Sequence, residues 1–182
     1  MGGAIVSGGS AANLTGLNIG RYIFAGHDVA GSGLFGQSPM ITYASEQTHS
    51  SVDKSIEMLG LGSDNLRRIA TRSDFTIDLN QLTTAIRADK AAGLTPFCII
   101  GNAGTVNTGA IDPLGSLADV AASEGLWFHV DGAYGGLACA LPELKRQYAG
   151  LERADSIALD FHKWLYQPFE IGMTLVNDFS VL

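Results

Sequence analysis

Pro96-Phe97-Cys98-Ile99-Ile100 is continuously apolar, the pattern of a strand buried on both faces at the centre of a parallel sheet. Downstream, Asp112-Pro113 sets a capping residue before a proline suited to the first helical position. The helix that follows turns Leu114, Leu117, Ala118 and Ala121 inward and ends near Gly125. Leu126-Trp127-Phe128-His129-Val130-Asp131 then reads as the next strand. Strand, helix and strand in that order make an α/β unit.

The same alternation extends in both directions. A Gly/Ser turn, Ser7-Gly8-Gly9-Ser10, precedes a helix expected from about Ala11 to Ala25. Met40-Ile41-Thr42-Tyr43 reads as a strand, His49 to Leu59 as a helix closed by Gly60, and Arg67-Arg68-Ile69-Ala70 as a weaker strand. Asp78 is placed to cap the next helix, with Gln81 completing a capping-box-like pair and Leu79, Leu82 and Ile86 on one face. Ser156-Ile157-Ala158-Leu159 and Gly172-Met173-Thr174-Leu175-Val176 supply two further strands. With no internal repeat or linker in 182 residues, the chain reads as one α/β layer fold.

Composition narrows the function. Hydrophobic residues make up 46% and charged residues 16%, with a formal charge of −7. Scattered Lys and Arg argue against nucleic acid, which requires a concentrated basic face. No apolar run approaches the roughly 18 residues of a membrane span. Met1-Gly2-Gly3-Ala4-Ile5-Val6 lacks the pattern of a signal peptide. Cys98 and Cys139 stand apart, as buried reduced thiols of a cytoplasmic protein would.

Chemistry-bearing residues follow the apolar runs. Asp131 ends a strand and precedes Gly132-Ala133-Tyr134-Gly135-Gly136, where ligands sit in open α/β sheets. A carboxylate there requires a cationic or hydrogen-bonding partner, although an isolated Asp-Gly is more often a turn. Lys163, among Phe161, Trp164 and Leu165, is expected to be partly desolvated, which favours a nucleophilic amine; the plainer alternative is a snorkelling lysine. Ser7-Gly8-Gly9-Ser10 offers free backbone N–H groups at a helix start, a cradle for an anion without a basic residue. His49 is placed to stack on an aromatic ligand or merely to cap a helix. His129-x-Asp131 puts two polar groups on one strand face, but no third ligand at known spacing supports a metal.

Read together, five ordered segments resemble the group II pyridoxal-phosphate (PLP)-dependent amino-acid decarboxylases, the family of aromatic-amino-acid and glutamate decarboxylases. They are Ser7–Asn13, Ser45–Ser51, Gly104–Pro113, His129–Gly136 and Asp160-Phe161-His162-Lys163-Trp164. The resemblance implies a PLP-dependent transferase-like (fold type I) large domain, with a mainly parallel sheet flanked by helices. It implies that residues 1–182 form a partial PLP-binding domain, without the family's N-terminal segment and C-terminal small domain.

The resemblance also implies the roles. Lys163 carries pyridoxal 5'-phosphate as a Schiff base, and Asp131 pairs with the protonated ring nitrogen. His49 stacks on one ring face and Ala133 on the other. Gly9 and Ser10 hold the phosphate with help from Asp160 or His162, and Thr105 lines the ring side of the pocket. The implied reaction is decarboxylation of an L-amino acid, aromatic first, by a cytoplasmic homodimer. Val106, Phe161 and Gly132 stand where relatives commonly have threonine, proline and alanine, beside the functional positions rather than at them. Two alternatives stay open: another PLP reaction on the same fold, such as transamination or carbon–carbon lysis, and a truncated module that only binds cofactor.

Overall fold

Thirteen elements run in the order β1 (Gly2–Val6), α1 (Gly8–Phe24), α2 (Val29–Ser32), β2 (Met40–Ser45), α3 (Ser51–Met58), β3 (Leu66–Ile69), α4 (Leu79–Ala91), β4 (Thr95–Asn102), α5 (Leu114–Glu124), β5 (Trp127–Asp131), β6 (Ser156–Asp160), α6 (Phe161–Trp164) and β7 (Gly172–Val176). They come from a computed structural model that describes residues 2–178 and 180. Met1, Phe179 and the last two positions of the expected 1–182 domain lie outside the described residues.

The strands form one seven-stranded sheet in the order β1-β7-β6-β5-β4-β2-β3. β2 to β6 are mutually parallel, whereas β7 runs antiparallel to both β6 and β1. The mainly parallel α/β layer expected from the sequence is therefore the fold. β4, β5 and β6 lie in the middle and are buried almost throughout, which explains why their sequences read as unbroken apolar runs.

Helices cover both faces. Leu17 of α1 with Val52 and Ile56 of α3 meets Ala44, Cys98 and Ile100 on one face. Leu82 and Ile86 of α4 with Leu114, Leu117 and Ala121 of α5 meet Tyr43, Ile99, Phe128 and Val130 on the other. The register between β2 and β4 shifts after Ile41, which leaves Phe97 as an extra residue on β4. That bulge accounts for Phe97 and Cys98, adjacent in sequence, joining the same cluster.

Most expected elements are present, and the differences have local causes. α1 begins at Gly8, not Ala11, because the glycines form its first turn. Asp78 caps α4 by accepting from the backbone N–H groups of Asn80 (2.8 Å) and Gln81 (3.1 Å). The reciprocal half of a capping box does not form, since the Asp78 N–H donates to the Ala70 carbonyl. Asp112 is not the cap of α5. Its carboxylate instead accepts from the N–H of Ile77 (2.8 Å) and from both the backbone N–H and the side-chain amide of Asn102 (2.8 Å each). Cys98 is buried as expected, whereas Cys139 is only half-buried because it sits in a short turn beyond the sheet.

Candidate active site

The parallel strands β2, β4, β5 and β6 end on the same side of the sheet, and each releases a polar segment there. His49 and Ser51 follow β2, Gly104 and Thr105 follow β4, Ala133 follows β5, and His162 and Lys163 follow β6. Asn102 pairs with Asp131 at the last step of the β4–β5 ladder. The N-terminus of α1 lines the same cavity. Every residue nominated from the sequence (Gly9, Ser10, His49, Thr105, Asp131, Ala133, Asp160, His162 and Lys163) lines one cavity. That is the place where open α/β sheets hold ligands.

The wall at α1 is built to receive an anion. The helix runs 17 residues, its first turn holds no acidic side chain, and Ser7 makes no side-chain capping bond. Its first N–H groups therefore have no acceptor within the helix. Glycine is required where it occurs. A Cβ on Gly9 would stand 2.8 Å from the Ala133 Cβ and 2.9 Å from Asp160 Oδ2. Beside this wall, His162 Nδ1 stands 2.7 Å from Asp160 Oδ1 but out of line for a hydrogen bond, so both buried atoms lack a hydrogen-bonded partner.

Asp131 lines the same cavity. It is buried, and one oxygen accepts from the Ala133 N–H at 3.1 Å. Burial pushes its pKa up from the ordinary carboxylate value, opposed by the Ala133 N–H, the Asn13 side chain and the nearby His49 and Lys163. A cation brought against this carboxylate would relieve its desolvation.

Lys163 also lines the cavity, with Nζ 3.4 Å from Asp160 Oδ2. The expectation that Phe161, Trp164 and Leu165 desolvate it is not met. Its side chain is 35% exposed, and Trp164 and Leu165 are about half exposed. The reason is that α6 is a single turn, around which consecutive side chains fan apart. His49 is exposed and also has the capping role, its Nδ1 accepting from the Ser51 backbone N–H at 3.1 Å. His129 faces away from solvent and bonds Asn13 and Ser156.

Asn13, Ser51, Asn102, Tyr134 and Phe169 also line the cavity, and sequence reasoning assigned none of them a role. A signal existed for two: Asn13 lies one turn beyond Gly9 on α1, and Asn102 ends an apolar strand as Asp131 does. Asn102 is held by Asp112 and donates to Thr48 Oγ1 at 3.0 Å.

An anion receptor, an amine and a buried carboxylate in one cavity fit a ligand with an anionic end, a carbonyl and a protonatable ring nitrogen. The sequence matches the family described as "Pyridoxal-dependent decarboxylase conserved domain" over residues 2–182. It is 39% identical over 180 residues to an aromatic-L-amino-acid decarboxylase of Bacillus atrophaeus, covering 99% of this chain and 36% of that protein. The solved structure of mouse CSAD superposes with a TM-score of 0.95 at 33% identity, covering 99% of this chain and 38% of the other. Oryza sativa TDC, solved with PLP and tryptamine, superposes with a TM-score of 0.88 at 36% identity, covering 98% and 37%. The chain thus spans somewhat over a third of the length of these relatives. It belongs to the pyridoxal-dependent decarboxylase family.

Proposed function

We propose that this chain supplies the PLP-binding core for decarboxylation of an L-amino acid. The observation that carries the reading is the convergence of Lys163, Asp131 and the uncapped N-terminus of α1 on one cavity. Lys163 is the amine that holds the cofactor as a Schiff base. Asp131 meets the ring nitrogen, His49 and Ala133 take the two ring faces, and Thr105 borders the ring. Gly9 and Ser10 take the phosphate, with His162 or Asp160 beside it.

When bound, PLP supplies the electron sink that stabilises the carbanion left as carbon dioxide departs. The chain's own residues set the conditions. Asp131 favours the protonated ring nitrogen, each pKa unit amounting to about 1.4 kcal/mol. The α1 amides fix the phosphate, and the walls on either side fix the ring plane. Asp160 Oδ2 keeps the Lys163 ammonium at the cavity.

An aromatic substrate is the first choice. The aromatic-L-amino-acid decarboxylase relative and the tryptamine-bound relative support it, as do Tyr134 and Phe169 on the cavity wall. A homodimer is the assembly we assign. Val106, Tyr134, Trp164, Tyr166 and Phe169 are large apolar side chains exposed on segments at the cavity, a surface that a second subunit would cover. Two unpaired cysteines suit the cytoplasm.

Borohydride reduction of the chain with PLP, followed by peptide mapping, tests the reading. A phosphopyridoxyl group on Lys163, lost in Lys163→Ala, is the expected result; an adduct on any other lysine overturns it. Assaying carbon dioxide against keto-acid product separates decarboxylation from transamination.

A further inference from the structure

Beneath the cavity, α1 packs on β5 and β6 around an unbroken line of polar side chains. Trp127 Nε1–H donates to Ser156 Oγ at 2.9 Å, and Ser156 Oγ lies 2.8 Å from His129 Nδ1. His129 Nε2 lies 2.9 Å from Asn13 Oδ1, and Asn13 Nδ2 donates to Ser51 Oγ at 3.1 Å. Ser51 Oγ finally lies 2.9 Å from His49 Nδ1. His129 and Asn13 are 116 positions apart. The His129 ring fits only because residue 16 is glycine, where a Cβ would come within 2.8 Å of its Cε1.

The Asn13 amide and the far end of the line fix its direction. An amide oxygen only accepts, so His129 Nε2 carries the proton that it donates to Asn13 Oδ1. Burial pushes the His129 pKa down to about 3, and a neutral imidazole has one donor and one acceptor. Its Nδ1 therefore accepts the Ser156 hydroxyl proton, while Ser156 Oγ accepts from the Trp127 indole. At the far end, the Ser51 backbone N–H donates to His49 Nδ1, which requires that Nδ1 carry no proton. The Ser51 hydroxyl then donates to the same nitrogen. Every donor points from Trp127 toward His49. The Asn13 side chain also favours the anion of the neighbouring Asp131 carboxylate.

We propose that Asn13 is the positioning residue of this site, tying the His49 ring to one buried, one-way hydrogen-bond chain that holds the His49 proton on Nε2. The inference rests on the reading that Asp131 and His49 border the PLP ring. A buried asparagine is more often a packing feature satisfied by its neighbours; what distinguishes this one is that it joins the buried His129 to Ser51 and, through it, to His49 at the cavity.

Nitrogen NMR of the histidine-labelled chain without cofactor tests it, because tautomers are observed there directly. The wild-type spectrum should show neutral His49 protonated on Nε2; a proton on Nδ1 overturns the proposal. Ser51→Ala should shift the His49 Nδ1 resonance and leave His129 unchanged, whereas Asn13→Ala should shift both. Asn13→Ala should also weaken PLP binding, followed by absorbance, roughly tenfold. If Asn13→Ala lowers only the unfolding midpoint, with both histidine signals and PLP affinity intact, the residue is structural and the proposal fails. Should Asn13→Ala not fold, an unchanged His49 resonance in Ser51→Ala is enough to overturn it. Failure of the wild-type chain to take up PLP would instead sink the parent reading, and the cofactor-free spectra would still decide this one.

Discussion

Asp112 and Asp131 are both carboxylates beside the C-terminal ends of central strands, both are buried, and burial raises the pKa of each. Their surroundings differ. Asp112 accepts three hydrogen bonds, from Ile77 and twice from Asn102, and ties the loop before α4 to the end of β4. Asp131 accepts one backbone hydrogen bond and otherwise faces a cavity with His49 and Lys163. Burial and a raised pKa are therefore common to a structural latch and a site carboxylate. What marks the site is bonding capacity left open toward a cavity.

The comparison can be broken by exchanging the two behaviours. Asp131→Ala should lower carbon dioxide release about a hundredfold or more, each tenfold being roughly 1.4 kcal/mol, and weaken PLP binding. Near-normal turnover would end its assignment to the ring nitrogen. Asp112→Ala should act on stability instead. It strands three donors, each costing about 1 kcal/mol or more, so urea unfolding should show a loss of about 3 kcal/mol. A loss below 1 kcal/mol would mean that Asp112 is no latch.

The pH dependence of stability sharpens the contrast. A folded pKa raised above the ordinary Asp value of 3.8 means that folding favours the protonated form of Asp131. Its stabilising contribution is present below 3.8 and is lost as pH rises through the folded pKa. Asp131→Asn should remove that loss, so the stability advantage of the variant should grow from pH 4 upward. A constant difference between the two curves would refute the linkage. Smallest of all, Val106→Thr at an exposed position should change stability by less than about 0.5 kcal/mol, as measured by thermal unfolding.

Legibility followed the range of the forces involved. β4, β5 and α5 were readable because burial on both faces writes an apolar run, and burial on one face writes a helical stripe. β1 was not, because Gly2-Gly3-Ala4-Ile5-Val6 at a sheet edge is half-exposed and carries no such pattern. Asp112 misled because Asp-Pro before a helical stripe has the form of a cap, whereas Ile77, 35 positions upstream, claims its carboxylate. Lys163 misled in its surroundings, since flanking aromatics say nothing about which way a one-turn helix turns them.

By itself the sequence determined the layer class, the order of the elements from α1 onward that carry an apolar run or stripe, and the short segments that carry an amine, a carboxylate and an anion-binding turn. These are local matters, set by periodicity and by residues within a few positions of one another. Tertiary structure alone decided that those segments share one cavity, that β7 turns back antiparallel, and that Asn13 meets His129 where α1 packs on the sheet. Such contacts join residues far apart along the chain, and their polarity depends on which partner's proton is already committed elsewhere.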